Sequence, residues 1–142
     1  MRRTELLYIF SAFAIAGLIL FLFIYSPKNQ NKFILADIKI EIKGKIKKKV
    51  AVRKGLLTHA KISRYKKSDT LVFLGESIDS VKIDDIFLKN KNSPFFYISR
   101  QGKKTRKLKY VSIPKSMLEE EDFPKEWKDS CRNKWKSVVI DD

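Results

Sequence analysis

Few residues in this chain have the type and spacing that chemistry needs. His59 is the sole histidine and Cys131 the sole cysteine. A histidine can serve as a general base near neutral pH. His59, however, stands between Thr58 and Ala60 in a strand-like stretch and reads as a structural residue bonding a turn. Asp79, Asp84 and Asp85 could supply an acid/base pair, yet adjacent aspartates are turn formers, because Asp accepts from nearby backbone amides. Ser77 and Ser99 have no base at a recognisable spacing. One His and one Cys cannot make up the three or four protein ligands that zinc takes, and a lone cysteine leaves no internal disulfide. No P-loop, dinucleotide fingerprint or HExxH sequence occurs. The expectation is a non-enzymatic protein with no catalytic residue, metal, cofactor or small-molecule substrate.

Charge is the stronger signal. The chain has 31 Lys+Arg against 16 Asp+Glu, a formal net charge of +15 over 142 residues. The cations fall in two clusters. One is Lys43, Lys45, Lys47, Lys48, Lys49, Arg53 and Lys54; the other is Lys103, Lys104, Arg106, Lys107 and Lys109. Facing nucleic acid, they would track a phosphate backbone while Phe95, Tyr97 and Tyr110 stack bases, but no nucleic-acid motif accompanies them. Facing anionic lipid, each is worth about 1 kcal/mol within a Debye length of the surface. An acidic protein or polymer is the third partner class. A lysine run can also be a solvated surface and nothing more.

These residues follow an apolar segment that narrows the choice. LLYIFSAFAIAGLILFLFIY, 6–25, is free of charge, and thirteen of its residues are Leu, Ile or Phe. At about 1.5 Å per residue it spans roughly the 30 Å of a hydrocarbon core, and those thirteen favour insertion by about 5 kcal/mol. Tyr8 and Tyr25 suit the two headgroup layers. The segment is longer than a signal-peptide core, and no small-x-small cleavage site follows it, so a retained single-span anchor is expected. Ser11, Ala12, Ala14, Ala16 and Gly17 would admit a second helix closely. Arg2 and Arg3 precede the span, and Lys28, Lys32, Lys39, Lys43 and Lys45 follow it. The bare count favours a cytoplasmic domain. A short basic tail before a first apolar segment is also the form of a signal anchor, and on that ground the domain is expected outside the cytoplasm, on a bacterial inner membrane.

The expected organisation is a basic tail 1–5, the anchor 6–25, a linker 26–32 after a helix stop at Ser26-Pro27, a β domain 33–114 and a helical tail 115–142. Within the β domain, 36–46 alternates, with Ile38, Ile40 and Ile42 on one face, and reads as a strand with a bend at Gly44. Lys47–Lys49 reads as a solvated turn. Strands follow at 56–65 and 70–77, with turn-like residues 66–69 between them. Residues 81–89 break at Asp84-Asp85. Strands 95–100 and 106–113 flank QGKKT as a hairpin. Short strands at even spacing predict a mainly β domain, a small antiparallel barrel or sandwich. In the tail, Ser116–Glu119 matches a capping box and Pro124 a first helical position. Trp127, Cys131 and Trp135 recur at i, i+4 and i+8 as the stripe of an amphipathic helix, which either packs on the barrel or lies in a membrane interface.

Gly44, His59, Asp84-Asp85 with Lys89, and Tyr97 with Arg100 occur in an order that resembles a broad group of small uncharacterised β-proteins of Gram-negative bacteria, membrane-anchored or lipidated. The resemblance covers about residues 36–102, with Thr58 where the group has Asn and Asp85-Ile86 where it has Asp-Ser. It implies an anchored β domain and carries no activity with it. Two functional readings result: an interaction module whose basic surface docks to anionic lipid or an acidic partner, or an accessory subunit of a membrane complex whose anchor helix makes the contacts. An enzyme of unfamiliar kind ranks last.

Overall fold

The computed structural model describes residues 3–142, and the side chains of all of these except 25–30; Arg2 and the ring of Tyr25 lie outside the described residues. The chain divides into two compact units, Met1–Phe33 and Ile34–Asp142.

Helix α1 runs Arg3–Lys39. Its part Arg3–Ile24 is long and apolar enough to cross a membrane, and its side chains are exposed. The expected stop at Ser26-Pro27 does not occur, and 26–32 is helical rather than an extended linker. A proline inside a helix withholds one i→i−4 bond, a loss that long helices absorb. Residues 36–39 are helical too, not the start of a strand. Ile38, Ile40 and Ile42 alternate, but Ile34, Leu35 and Ile38 form a helical stripe. Ile38 is fully buried, and the stripe packs with Phe95, Ile113 and Trp127. Helical period prevails because that packing is available only to a helix.

Six antiparallel strands form one sheet in the order β3-β2-β1-β4-β5-β6. These are β1 Ile42–Arg53, β2 Leu56–Arg64, β3 Lys67–Phe73, β4 Ile86–Lys89, β5 Phe95–Ser99 and β6 Arg106–Lys109. Ile42, Ile46, Ala60, Ile62, Val72, Phe87, Phe96 and Ile98 point to one face and form its core with Leu74, Ile78 and Val81. Phe87 and Phe96 stack with centroids 4.9 Å apart.

Lys47–Lys49 is therefore strand, not turn. A bulge between Ile46 and Lys48 takes up the extra residue, so Ile46 still faces Ile62 while Lys48 stands beside Lys61. The turn falls at Lys54-Gly55, both with positive φ (51° and 71°), between the paired residues Arg53 and Leu56. That is the two-residue geometry suited to the twist of a hairpin. Lys67, Ser68 and Asp69, expected in a turn, are the first residues of β3. The hairpin forms between β5 and β6, but its second strand ends at Lys109 rather than 113, and Ile113 joins a second sheet; the break at Asp84 forms as expected, Asp84 having φ 73°.

The sheet is not closed into a barrel, and it is not a sandwich. After β3 a 3-10 segment, Gly75–Ser80, places Ile78 in the core and lies against β6: the Ser77 hydroxyl donates to the Lys109 carbonyl at 3.4 Å and Arg106 to that of Ser80 at 3.4 Å. Side-chain contacts occupy the seam where β3 and β6 would have to pair. With about 34% strand and 40% helix the class is mixed α/β rather than mainly β.

Residues 113–142 build a second apolar cluster. Strands β7 Ile113–Pro114 and β8 Val139–Ile140 pair in parallel, and helix α2 spans Lys125–Arg132. Pro124 stands just before α2 as its N-cap. The capping box at Ser116–Glu119 does not form; that stretch is a 3-10 turn without a side-chain cap, and the Ser116 amide donates to Asp142 at 3.1 Å. Trp127 and Cys131 lie on α2 and Trp135 beyond it. All three are buried with Phe123, Met117 and Val138, and burial pushes the Cys131 thiol pKa up. The two indoles contact each other at 6.1 Å and face protein, not a membrane interface.

Candidate functional site

Of the residues that looked suited to chemistry, Asp85, His59 and Ser77 have structural partners. Asp85, 1% exposed, accepts two 2.7 Å bonds from the Arg100 guanidinium and one of 2.7 Å from the Lys82 amide. The guanidinium holds its carboxyl below the usual carboxylate range against the opposing effect of burial. The same turn is tied to β1, since Asp84 N–H donates to the Ile46 carbonyl at 2.8 Å and Ile46 N–H to that of Asp85 at 2.9 Å. His59 bonds the Thr58 hydroxyl at 2.8 Å and meets the Phe73 ring edge-on at 5.2 Å. Among the described residues no group of three metal-ligating side chains forms.

Lys89 is fully buried, and its ammonium donates to the carbonyls of Ile38 (3.0 Å), Ile40 (3.0 Å) and Asn90 (2.8 Å), using all three of its donors. Two of those carbonyls belong to the last turn and exit of α1, where the helix leaves acceptors unpaired and favours a cation. Burial pushes its pKa down to about 8, with Asp37 opposing. The sequence does not reveal this bonding, because two of the three acceptors lie about fifty positions earlier.

The solvent face of the sheet is different. The register sets Lys43, Leu88, Tyr97 and Lys107 in one row, and Ser63, Lys45, Ile86 and Ser99 in the next. Where the first row meets the β2–β3 turn, a groove of about 880 Å³ opens, lined by Lys43, Lys45, Arg64, Lys66 and Lys67 with one carboxylate, Glu41. Tyr65, 84% exposed, and Ile86 give it apolar surface, and the Lys66 ammonium lies 5.2 Å from the Tyr65 ring centroid. Gly44 lets β2 come close at the groove floor: a Cβ there would stand 2.2 Å from the Ser63 carbonyl oxygen. The arrangement can hold an extended polyanion or a cluster of carboxylates by charge and by one aromatic face.

Of the expected cations, only Lys43 and Lys45 line this groove. Lys47 pairs with Asp69 at 3.2 Å, which Lys61 also approaches at 3.7 Å. Lys48 and Lys49 continue along β1, and Arg53 and Lys54 stand at the tip of the β1–β2 hairpin. Lys103 and Lys104 lie in the β5–β6 connection, Arg106 bonds Ser80, Lys107 covers the Phe95 ring at 3.9 Å, and Lys109 is paired in register with Phe95. The second cluster is thus spread over one hairpin and is not part of the groove. Arg64, Lys66 and Lys67 were missed; an aromatic bracketed by cations in a turn, RYKK, is the signal that marks them.

On α1 the five small residues do not form one seam. At about 100° per residue they fall on two faces, Ser11, Ala14 and Gly17 at i, i+3 spacing on one and Ala12 with Ala16 at i, i+4 on the other. Ser11 donates its hydroxyl to the Tyr8 carbonyl at 2.9 Å.

Comparison with known protein families, with curated proteins and with solved structures finds no match.

Proposed function

We propose that the protein is a single-span, membrane-anchored interaction module without catalytic activity, and that its groove docks a carboxylate-rich segment of a protein or polymer. The observation that carries this is the groove itself: five cations line it with a single carboxylate, beside an exposed tyrosine. Charges with a structural role in this fold are paired or buried, as at Asp85–Arg100 and Lys89, whereas the five groove cations form no ion pair among the described residues; Arg64 donates to the Ser68 carbonyl and Lys66 lies over the Tyr65 ring. The apolar helix supports the anchor.

The test uses the full chain in detergent micelles and a fluorescent polyglutamate probe. Replacing Lys43, Lys45 and Lys66 together by Gln should weaken binding at least tenfold, while Lys103→Gln with Lys104→Gln should leave it within about twofold. Equal losses from both sets would mean that overall charge binds and that the groove is not a site. The reading as an accessory subunit rests on the exposed helix and the Ala12/Ala16 pair. It requires association to fail when α1 is scrambled but kept apolar.

A further inference from the structure

The far end of the β1–β2 hairpin has no role in the core. Past Val50 and Thr58 neither strand has an outer neighbour: β4 pairs with β1 only over Ile42–Lys45, β3 pairs with β2 only over His59–Arg64, and one further bond runs from the Leu74 N–H to the Thr58 carbonyl at 2.9 Å. Residues 51–57 form a two-stranded ribbon in which every residue is exposed. Its tip exposes Val52 (53%), Leu56 (67%) and Leu57 (50%) beside Arg53 and Lys54. No carboxylate occurs between Lys45 and Lys61 in the sequence. A ribbon of this kind is marginal in water, and apolar side chains at its tip gain nothing from solvent.

We infer that this tip inserts into an anionic bilayer surface, with Val52, Leu56 and Leu57 entering the headgroup boundary and Arg53 and Lys54 meeting lipid phosphates. The charge selects an anionic occupant. The apolar tip selects one with a hydrocarbon layer beneath the charge, which a polyanion lacks. For proximity to a bilayer the inference rests on the anchor reading. Reach does not limit it, since the helical stretch 25–39 is roughly 22 Å long and β1 roughly 36 Å. The tip and the groove lie at opposite ends of the same ladder, so the two can be occupied together.

The experiment places a nitroxide at Leu56→Cys in a Cys131→Ser background, in the full chain. It measures oxygen and nickel-chelate accessibility in vesicles of mixed phosphatidylcholine and phosphatidylglycerol and in phosphatidylcholine alone. A label at Lys66→Cys is the aqueous control, and one at Leu18→Cys reports the anchor. The oxygen-to-nickel ratio at position 56 should be several-fold above that at 66 in the anionic vesicles. It should fall to the aqueous value in neutral vesicles or with Arg53→Gln and Lys54→Gln. An aqueous ratio at 56 in anionic vesicles overturns the proposal. So does protection from both reagents that persists in neutral vesicles, which would mean a protein covers the tip. An aqueous label at 18 sinks the anchor reading alone, because position 56 still reports on the vesicles present.

Discussion

The two ends of the β1–β2 ladder are built on opposite terms. At the near end β1 has neighbours on both sides, Gly44 permits a close strand approach, and the Asp84-Asp85 turn bonds Ile46 in both directions. The charges there that serve the fold are bonded within it: buried Asp85 to the partly exposed Arg100, and buried Lys89 on three carbonyls. At the far end there are two strands, no buried residue between 51 and 57, and two cations, Arg53 and Lys54, that form no ion pair among the described residues. The contrast separates a lysine that holds the fold from one that is free to meet something else, a distinction that composition cannot make.

The largest effect that would sharpen the contrast is at the near end. Arg100→Ala leaves the Asp85 carboxylate buried and unpaired and should cost about 3 kcal/mol of stability in urea denaturation. The pH dependence follows from the same pair. The guanidinium lowers the Asp85 pKa in the folded state from its ordinary 3.8. The stabilisation is therefore complete above that value and is lost as acid protonates the carboxylate in the folded state. Wild-type stability should fall as the pH drops below about 4, and the Arg100→Ala protein should show a shallower fall over the same window.

Next in size, Lys89→Met removes a donor from three carbonyls, those of Ile38 and Ile40 at the exit of α1 and that of Asn90 after β4. Stranded buried acceptors cost about 1–3 kcal/mol each where water cannot replace the donor, so a loss of about 2 kcal/mol is expected. Hydrogen exchange should also quicken at residues 38–40. Gly44→Ala should cost about 2 kcal/mol, since its Cβ would overlap the Ser63 carbonyl and the strands must move apart. The smallest effect is at the far end: Leu56→Ser with Leu57→Ser should change stability by less than about 0.5 kcal/mol. A large loss there would break the comparison, because it would show the tip to be part of the fold.

Much of the architecture was legible in the residues. Charge-free length marked the apolar helix, and alternation marked β2 and the β5–β6 hairpin. Three features misled for physical reasons. Lys47–Lys49 looks like a solvated loop, but a bulge lets a strand carry three successive lysines without turning one inward. Pro27 looks like a stop, but the helix absorbs one missing donor. Ile38 sits in a period-two pattern, but the second apolar cluster offers it a helical packing site. The groove was half visible: Lys43 and Lys45 stood out in a run, whereas Arg64, Lys66 and Lys67 join them only through strand register.

The central claim, that the groove captures an acidic partner by charge, is tested most directly by titrating the full chain with polyglutamate across a range of salt concentrations. The account expects affinity to fall steeply as salt rises, because exposed charges are screened beyond a shrinking Debye length. It expects the slope to flatten when Lys43, Lys45 and Lys66 are replaced by Gln. Affinity independent of salt, or a slope unchanged by those replacements, would contradict it.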